Sequence, residues 1–186
     1  MPSHLLSSQA VQADTTPVTH LRVVVHTLGA AGPNTSDNHW SIYLLHSDGR
    51  SSTRINMRAE FDDPTGILDW TKHGYIRTTS AIRYWDFPVA AGVTVLFFAR
   101  VIYQLRRDRY DMSGEAPAAG GGCKFRKTLK CSSNLSYSNR YNIMSDMAQK
   151  NYIDQNAARE IWPNLLYLYH TKKEPTALRM VQGEFV

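Results

Sequence analysis

The run from Ser36 to Glu60, SDNHWSIYLLHSDGRSSTRINMRAE, constrains the fold more than any other part of the chain. Two apolar, β-prone stretches, HWSIYLLH and STRINMRA, flank Asp48-Gly49, a dipeptide that favours a tight reversal. In the second stretch Ile55 and Met57 alternate with Arg54, Asn56 and Arg58. One face is therefore apolar and the other polar, the period of a half-buried strand. The pair reads as a β-hairpin.

Around it, LRVVVHTL (21–28) is β-branched and bounded by the turn formers GAAGPNTSDN, so it reads as another strand. EFDDPTG (60–66) is a loop in which Asp62-Asp63 beside Pro64 shape a turn. ILDWTKHGYIRTTSAIRYWDFPV continues as strand with turns near His73-Gly74. After Gly92 the period changes: Val95, Phe98, Ala99, Ile102 and Tyr103 fall at helical spacing, with Thr94 as N-cap and arginines in the last turn. SGEAPAAGGGC then runs as a small-residue loop into Cys123. Two helices are expected over 141–150 and 154–170, the latter kinked or broken at Pro163, and ALRMVQGEF suits a last strand. Segregated strands and helices give an α+β fold, an antiparallel sheet packed by helices. The expected organisation is one domain over 21–186 behind a polar, disordered tail, MPSHLLSSQAVQADTTPVTH (1–20).

At 186 residues the chain can bury a real core as a single domain. No stretch approaches the roughly 18–20 apolar residues that span a bilayer, so no transmembrane segment is expected. The first residues lack a basic stretch followed by an apolar one, so no export signal is read. Cys123 and Cys131 are then free thiols, and the expected compartment is the cytoplasm. A formal charge of +5 invites a nucleic-acid reading. The basic residues are scattered over a strand, a helix end and a loop, which argues against a nucleic-acid surface.

The chemistry worth testing joins residues far apart in sequence. Gly120-Gly121-Gly122 precede Cys123, leaving its thiol unobstructed. A helix starting there would lower the thiol pKa and offer amides to an oxyanion. A nucleophile also needs a base and a third group to orient that base. His39 at the mouth of its strand can be the base, and Asn56 on the polar face of the next strand can orient it. The bland readings stand beside these: Cys123 as a small buried hydrophobe, His39 bonded to a loop carbonyl, Asn56 as a solvated strand residue. Trp40, Trp70 and Trp85 are core aromatics or the lining of an apolar pocket for substrate. The seven histidines show no metal-ligand spacing, and the chemistry requires no cofactor.

His-Trp heading a strand, a polar residue on the next, a helix ending in Tyr-Asp and a loop to cysteine form a recognisable order. It resembles the circularly permuted papain-like layout of the lecithin–retinol acyltransferase-like and NlpC-type groups. HWSIYL is similar to the histidine-bearing strand there, and FARVIYQLRRDRYDMSG…GC to the helix and loop leading to the cysteine. The resemblance implies Cys123 as nucleophile, His39 as base and Asn56 as orienting group. More closely, the whole chain resembles an uncharacterised domain family of filamentous fungi, in which NHWSIYLL, INM, AIRYWDFPV, YDMSG, GC and MVQGEF recur in similar order. That resemblance implies no activity, only a setting such as secondary-metabolite biosynthesis. In that family the cysteine leads directly into the helix that here begins near Tyr141. This chain interposes KTLKCSSNLSYSNR, Lys127–Arg140, which is either a surface loop or a retained intron.

Two functions remain open at this level. One is a thiol-dependent acyl-transfer enzyme, an amidohydrolase or acyltransferase acting on a small-molecule acyl or amide substrate. The other is a non-catalytic accessory or binding protein on the same fold.

Overall fold

The computed structural model describes residues 4–32, 35–59, 65–111 and 142–177. An antiparallel sheet of seven strands frames it. The strands are β1 (His4–Leu6), β2 (Val18–Gly32), β3 (Thr35–His46), β4 (Ser52–Ala59), β5 (Thr65–His73), β6 (Ala81–Pro88) and β7 (Arg109–Asp111). Their spatial order is β1-β5-β4-β3-β2-β6, with β7 also paired to β5. The helices are α1 (Ser8–Val11), α2 (Val95–Gln104), α3 (142–149) and α4 (Ala157–Leu165), and β8 (Tyr167–Leu168) pairs with β9 (Thr176–Ala177). The fold is α+β, as the segregation of strand and helix patterns leads one to expect.

The hairpin is β3–β4, with Ile42 opposite Ile55 and Leu45 opposite Ser52. Asp48 shapes its turn. Its Oδ1 accepts the N–H groups of Arg50 (2.8 Å) and Ser51 (2.9 Å), while Gly49 takes φ +66°, the left-handed region that favours glycine.

Alternation along the strands then assigns two faces. Trp40, Ile42 and Leu44 of β3 join Val23, Val25, Ile55 and Trp70 on the side covered by helices, where Phe98, Ile102, Met144, Met147, Ile161 and Leu165 complete one buried cluster. Full burial of each such side chain stabilises by about 1.5–3 kcal/mol before entropy is counted. The opposite face carries Val24, Tyr43 and Leu45 in a smaller cluster with Ile76 and Ala81. A strap, residues 74–80, crosses this face. Ser52 Oγ donates to the Tyr75 carbonyl (2.6 Å), Arg22 Nη1 to the Ile76 carbonyl (2.7 Å), and the Thr27 N–H to the Ser80 carbonyl (3.0 Å).

The first twenty residues, expected as a disordered tail, are instead built into the fold from His4 onward. β1 lies along β5, with Leu6 opposite Trp70, and Val11 is fully buried in the core. The physical reason lies at the start of α2. Thr94 holds the N-cap position, but its side chain makes no capping bond. The carbonyls of Thr16 and Asp14 accept the Val95 and Leu96 N–H groups instead, at 3.1 and 2.7 Å. Those amides have no partner within the helix, so a backbone segment satisfies them in place of a side chain.

At the other end of α2, Arg106 adopts φ +51°. Its N–H bonds the Tyr103 carbonyl and the Arg107 N–H bonds the Ile102 carbonyl, the paired bonds of a Schellman cap. Arg107 Nε then meets Asp146 Oδ2 at 3.0 Å, tying this end to α3. Pro163 lies inside α4, which stops two residues later, so only 157–165 of the expected 154–170 helix is helical. Of ALRMVQGEF, Ala177 ends β9 and the rest lies outside the described residues.

Candidate functional site

His39, Ser41 and Tyr43 alternate onto the strap-bearing face of β3, while Arg54 and Asn56 alternate onto the same face of β4. The ladder places Tyr43 opposite Arg54, and Asn56 opposite Asp69 of β5. On the other side of β3, His26 of β2 is the direct partner of His39, with ring centroids 6.0 Å apart. The β2–β3 register shifts between Thr27 and Ala30, immediately beyond this pair, which bends the end of the ribbon that carries His39.

The centre of the site is the Asn56 amide oxygen. Arg54 Nη2 donates to it at 3.0 Å, Ser41 Oγ at 3.3 Å, and His39 Nε2 is hydrogen-bonded to it. Arg54 Nε also donates to Ser41 Oγ at 3.0 Å, which directs the Ser41 proton onward to Asn56. A guanidinium has only donors, so the atom facing it must be the amide oxygen rather than the NH2. His39 therefore meets an acceptor through Nε2, and Nε2 carries a proton. In the neutral ring the basic lone pair then belongs to Nδ1. The half-buried imidazole is thus held through Nε2.

Burial shifts neighbouring titratable groups on this face. Burial pushes the Tyr43 hydroxyl up to about 12, against a smaller downward pull from the Arg54 cation. Burial also lowers His73, and Arg54 adds to that effect. His73 Nε2 lies 2.9 Å from Thr71 Oγ1 and its ring packs on Tyr75. His26 Nδ1 is 2.9 Å from Ser80 Oγ at the far end of the strap.

The residues singled out from sequence fare differently. His39 and Asn56 are brought into contact. Cys123 lies outside the described residues, as does the whole Lys127–Arg140 stretch. Trp40 and Trp85 stack on the helix-covered face, 5.6 Å apart, with Tyr169 at the edges of both. Trp70 does not join them. The row Trp70–Ile55–Ile42–Val23–Trp85 crosses five strands, so the backbones of the outer two lie four strand spacings, about 19 Å, apart along the sheet. Trp40 and Trp70 are sealed, at 0% and 1% exposure, so neither offers surface to a ligand.

Three contributors went unnoticed in the sequence. Arg54 and Ser41 flank the amide, and Asn38 anchors the segment after α4. The Asn38 amide donates to the Tyr169 carbonyl (2.7 Å) and accepts the Tyr169 N–H (2.6 Å), so the side chain pairs with Tyr169 as a strand would. A polar residue directly before His39 was the available signal.

Among the described residues no helix is long and apolar enough to cross a membrane, and no three His, Cys, Asp or Glu side chains are grouped to hold a metal ion.

An antiparallel sheet with helices on one face and a polar imidazole–amide–guanidinium cluster on the other defines the class structurally. The chain belongs to the family described as Domain of unknown function (DUF7770), whose match covers residues 21–128 and 140–186. Membership of an uncharacterised family agrees with the closer of the two resemblances. The match passes over residues 129–139, within the interposed stretch Lys127–Arg140. No curated protein and no solved structure matches the chain.

Proposed function

We propose that the protein is a thiol-dependent acyl-transfer enzyme with a papain-like arrangement of parts, an amidohydrolase or acyltransferase. Cys123 Sγ forms a bond to the carbonyl carbon of an acyl or amide substrate as His39 Nδ1 takes the thiol proton. His39 returns that proton to the leaving amine or alcohol. Water or a second acceptor then cleaves the thioester and frees the thiol. Asn56 holds the imidazole, and no cofactor enters these steps.

One observation carries this reading: the Asn56 oxygen, pinned by Arg54 and Ser41, engages His39 through Nε2 and leaves Nδ1 as the basic nitrogen. A papain-like base requires that polarity. The reading also places the chain in the cytoplasm, where both thiols stay reduced. The resemblance to a filamentous-fungal family suggests secondary-metabolite biosynthesis as its setting. Lys127–Arg140 is either a surface loop or a retained intron, and sequencing the transcript distinguishes the two. The accessory alternative, with a pocket shared by Trp40, Trp70 and Trp85, draws no support from indoles that are sealed or four strands apart.

The test is the alkylation rate of Cys123 against pH in a Cys131→Ser background, with and without His39→Ala and Asn56→Ala. The proposal expects a plateau reached well below the ordinary thiol pKa of about 8.5, lost with His39 and weakened with Asn56. A slow thiol that titrates ordinarily and ignores His39 overturns it.

A further inference from the structure

We propose that Arg54 is a positioning residue for His39: it locks the Asn56 amide with its oxygen toward the imidazole, and so keeps the ring proton on Nε2. An asparagine amide is nearly symmetric in shape and its last torsion has two broad wells. Left to itself, Asn56 can present either its oxygen or its NH2 to the ring. The NH2 orientation would require a lone pair on Nε2, moving the proton of neutral His39 to Nδ1. A base protonated on the wrong nitrogen cannot accept a proton from a substrate or thiol. In the serine triad, the corresponding loss of tautomer control lowers the rate by about 10⁴-fold.

Arg54 removes the choice with two contacts rather than one. Nη2 reaches the Asn56 oxygen at 3.0 Å and Nε reaches Ser41 Oγ at 3.0 Å. Ser41, with one lone pair occupied by Arg54, turns its own proton to the same oxygen at 3.3 Å. An NH2 group in that position would face the donor-only guanidinium of Arg54. Guanidinium geometry is what permits this fork; a lysine ammonium is a single point charge at the end of a flexible stem. Around Arg54 stand Tyr43 and Ser41 on β3, Thr71 and Asp69 on β5, and Ser52 and Asn56 along its own strand. Its charge is also felt at His73. That gives an internal reporter separating loss of charge from loss of the fork.

The tautomer itself does not depend on catalysis; only its consequence for rate rests on the proposed acyl-transfer chemistry. The experiment is nitrogen-15 NMR of the imidazole rings at a pH where they are neutral. It compares wild type, Arg54→Lys and Arg54→Met, with His39→Gln assigning the signals and circular dichroism checking the fold. Wild type is expected to show His39 protonated on Nε2. Arg54→Lys, which keeps the charge and loses the fork, is expected to shift His39 toward the Nδ1-protonated form while His73 titrates as before. Arg54→Met is expected to move both, with His73 titrating at higher pH. A wild-type His39 protonated on Nδ1, or a His39 signal unmoved in a folded Arg54→Lys protein, overturns the proposal. If Arg54→Met fails to fold, the lysine variant decides.

The same variants distinguish this inference from the function it extends. With a reactive Cys123, Arg54→Lys should slow alkylation at the pH of the wild-type plateau by about 10-fold or more, as the thiol pKa rises by about a unit and the thiolate fraction falls. An Arg54-dependent tautomer beside an ordinary thiol keeps the positioning role and removes the acyl-transfer reading. A coupled thiol beside a tautomer indifferent to Arg54 does the reverse.

Discussion

Replacing Asp86 by alanine strands a buried cation and loosens the strap over the polar face. Arg22 is held in a two-pronged ion pair, Nε to Oδ1 at 2.6 Å and Nη2 to Oδ2 at 2.7 Å, with the Tyr84 ring 4.2 Å from its Cζ. The carboxylate holds the guanidinium above its ordinary range, outweighing the cost of burial. Breaking a fully buried pair from one side costs about 3–5 kcal/mol, whereas an exposed pair contributes about 0–1 kcal/mol. The Arg22 side chain is 10% exposed and that of Asp86 is 35% exposed, so solvent screens one end. The expected cost of Asp86→Ala is therefore intermediate, about 2 kcal/mol. At about 2–4 °C per kcal/mol for a chain of this size, Tm falls by about 4–8 °C. Urea unfolding should show a lower midpoint at unchanged slope. Adding Arg22→Met removes the stranded charge, so the double variant should be less destabilised than the sum of the singles. Arg22→Met alone frees the Ile76 carbonyl, and amide exchange should quicken at 74–80 with little change in α2. A loss below about 0.5 kcal/mol for Asp86→Ala, or strict additivity in the double variant, refutes the reasoning.

Arg106 occupies the left-handed position of a helix cap where glycine meets no strain, so Arg106→Gly should raise stability by about 0.5–1 kcal/mol in urea titrations. Asn38→Ala leaves the buried N–H and carbonyl of Tyr169 without that partner and should cost about 2–4 kcal/mol, with exchange rising first around Tyr169. Burial lowers both His46 and His73, so the native state resists their protonation. Their contribution is complete above about pH 6.5 and is lost as pH falls toward their lower folded values. The urea midpoint should drop over that interval, and a His46→Gln/His73→Gln pair should flatten the profile. Asp48, held at about 2 chiefly by the Ser51 hydroxyl and two backbone amides, acts only at much lower pH, where protonation should loosen the β3–β4 turn. The amide chemical shifts of Arg50 and Ser51 should report that loosening.

The hairpin and α2 were legible because their signals are local; Asn56 could be put on the polar face, but its contact with His39 depended on a register the sequence left open. Alternation in STRINMRA assigns faces, and Asp48-Gly49 positions the turn that brings β4 beside β3. The start of α2 at Val95 comes from a change of period. The N-terminal segment was illegible for the opposite reason. HLL is too short to announce a strand, and its partners, β5 and the amides of Val95 and Leu96, lie tens of residues away. The tryptophans were left between core and pocket because aromatic content says nothing about which row of a sheet a ring occupies; Trp40 and Trp70 are core. Arg54 looked like one more basic residue on a polar face. Only the directions of its Nε and Nη2 atoms show that it organises Ser41 and Asn56.

The pairing of Asn38 with Tyr169 has a consequence in time as well as space. These groups are 131 positions apart in the chain, and His39 is the very next residue after Asn38. During synthesis the β3–β4 hairpin can close as soon as it emerges, but the support beside His39 arrives only 131 positions after Asn38. Contacts of such long range close slowly and late. A nascent chain would thus carry its imidazole on an unfinished ledge until the segment after α4 has been made.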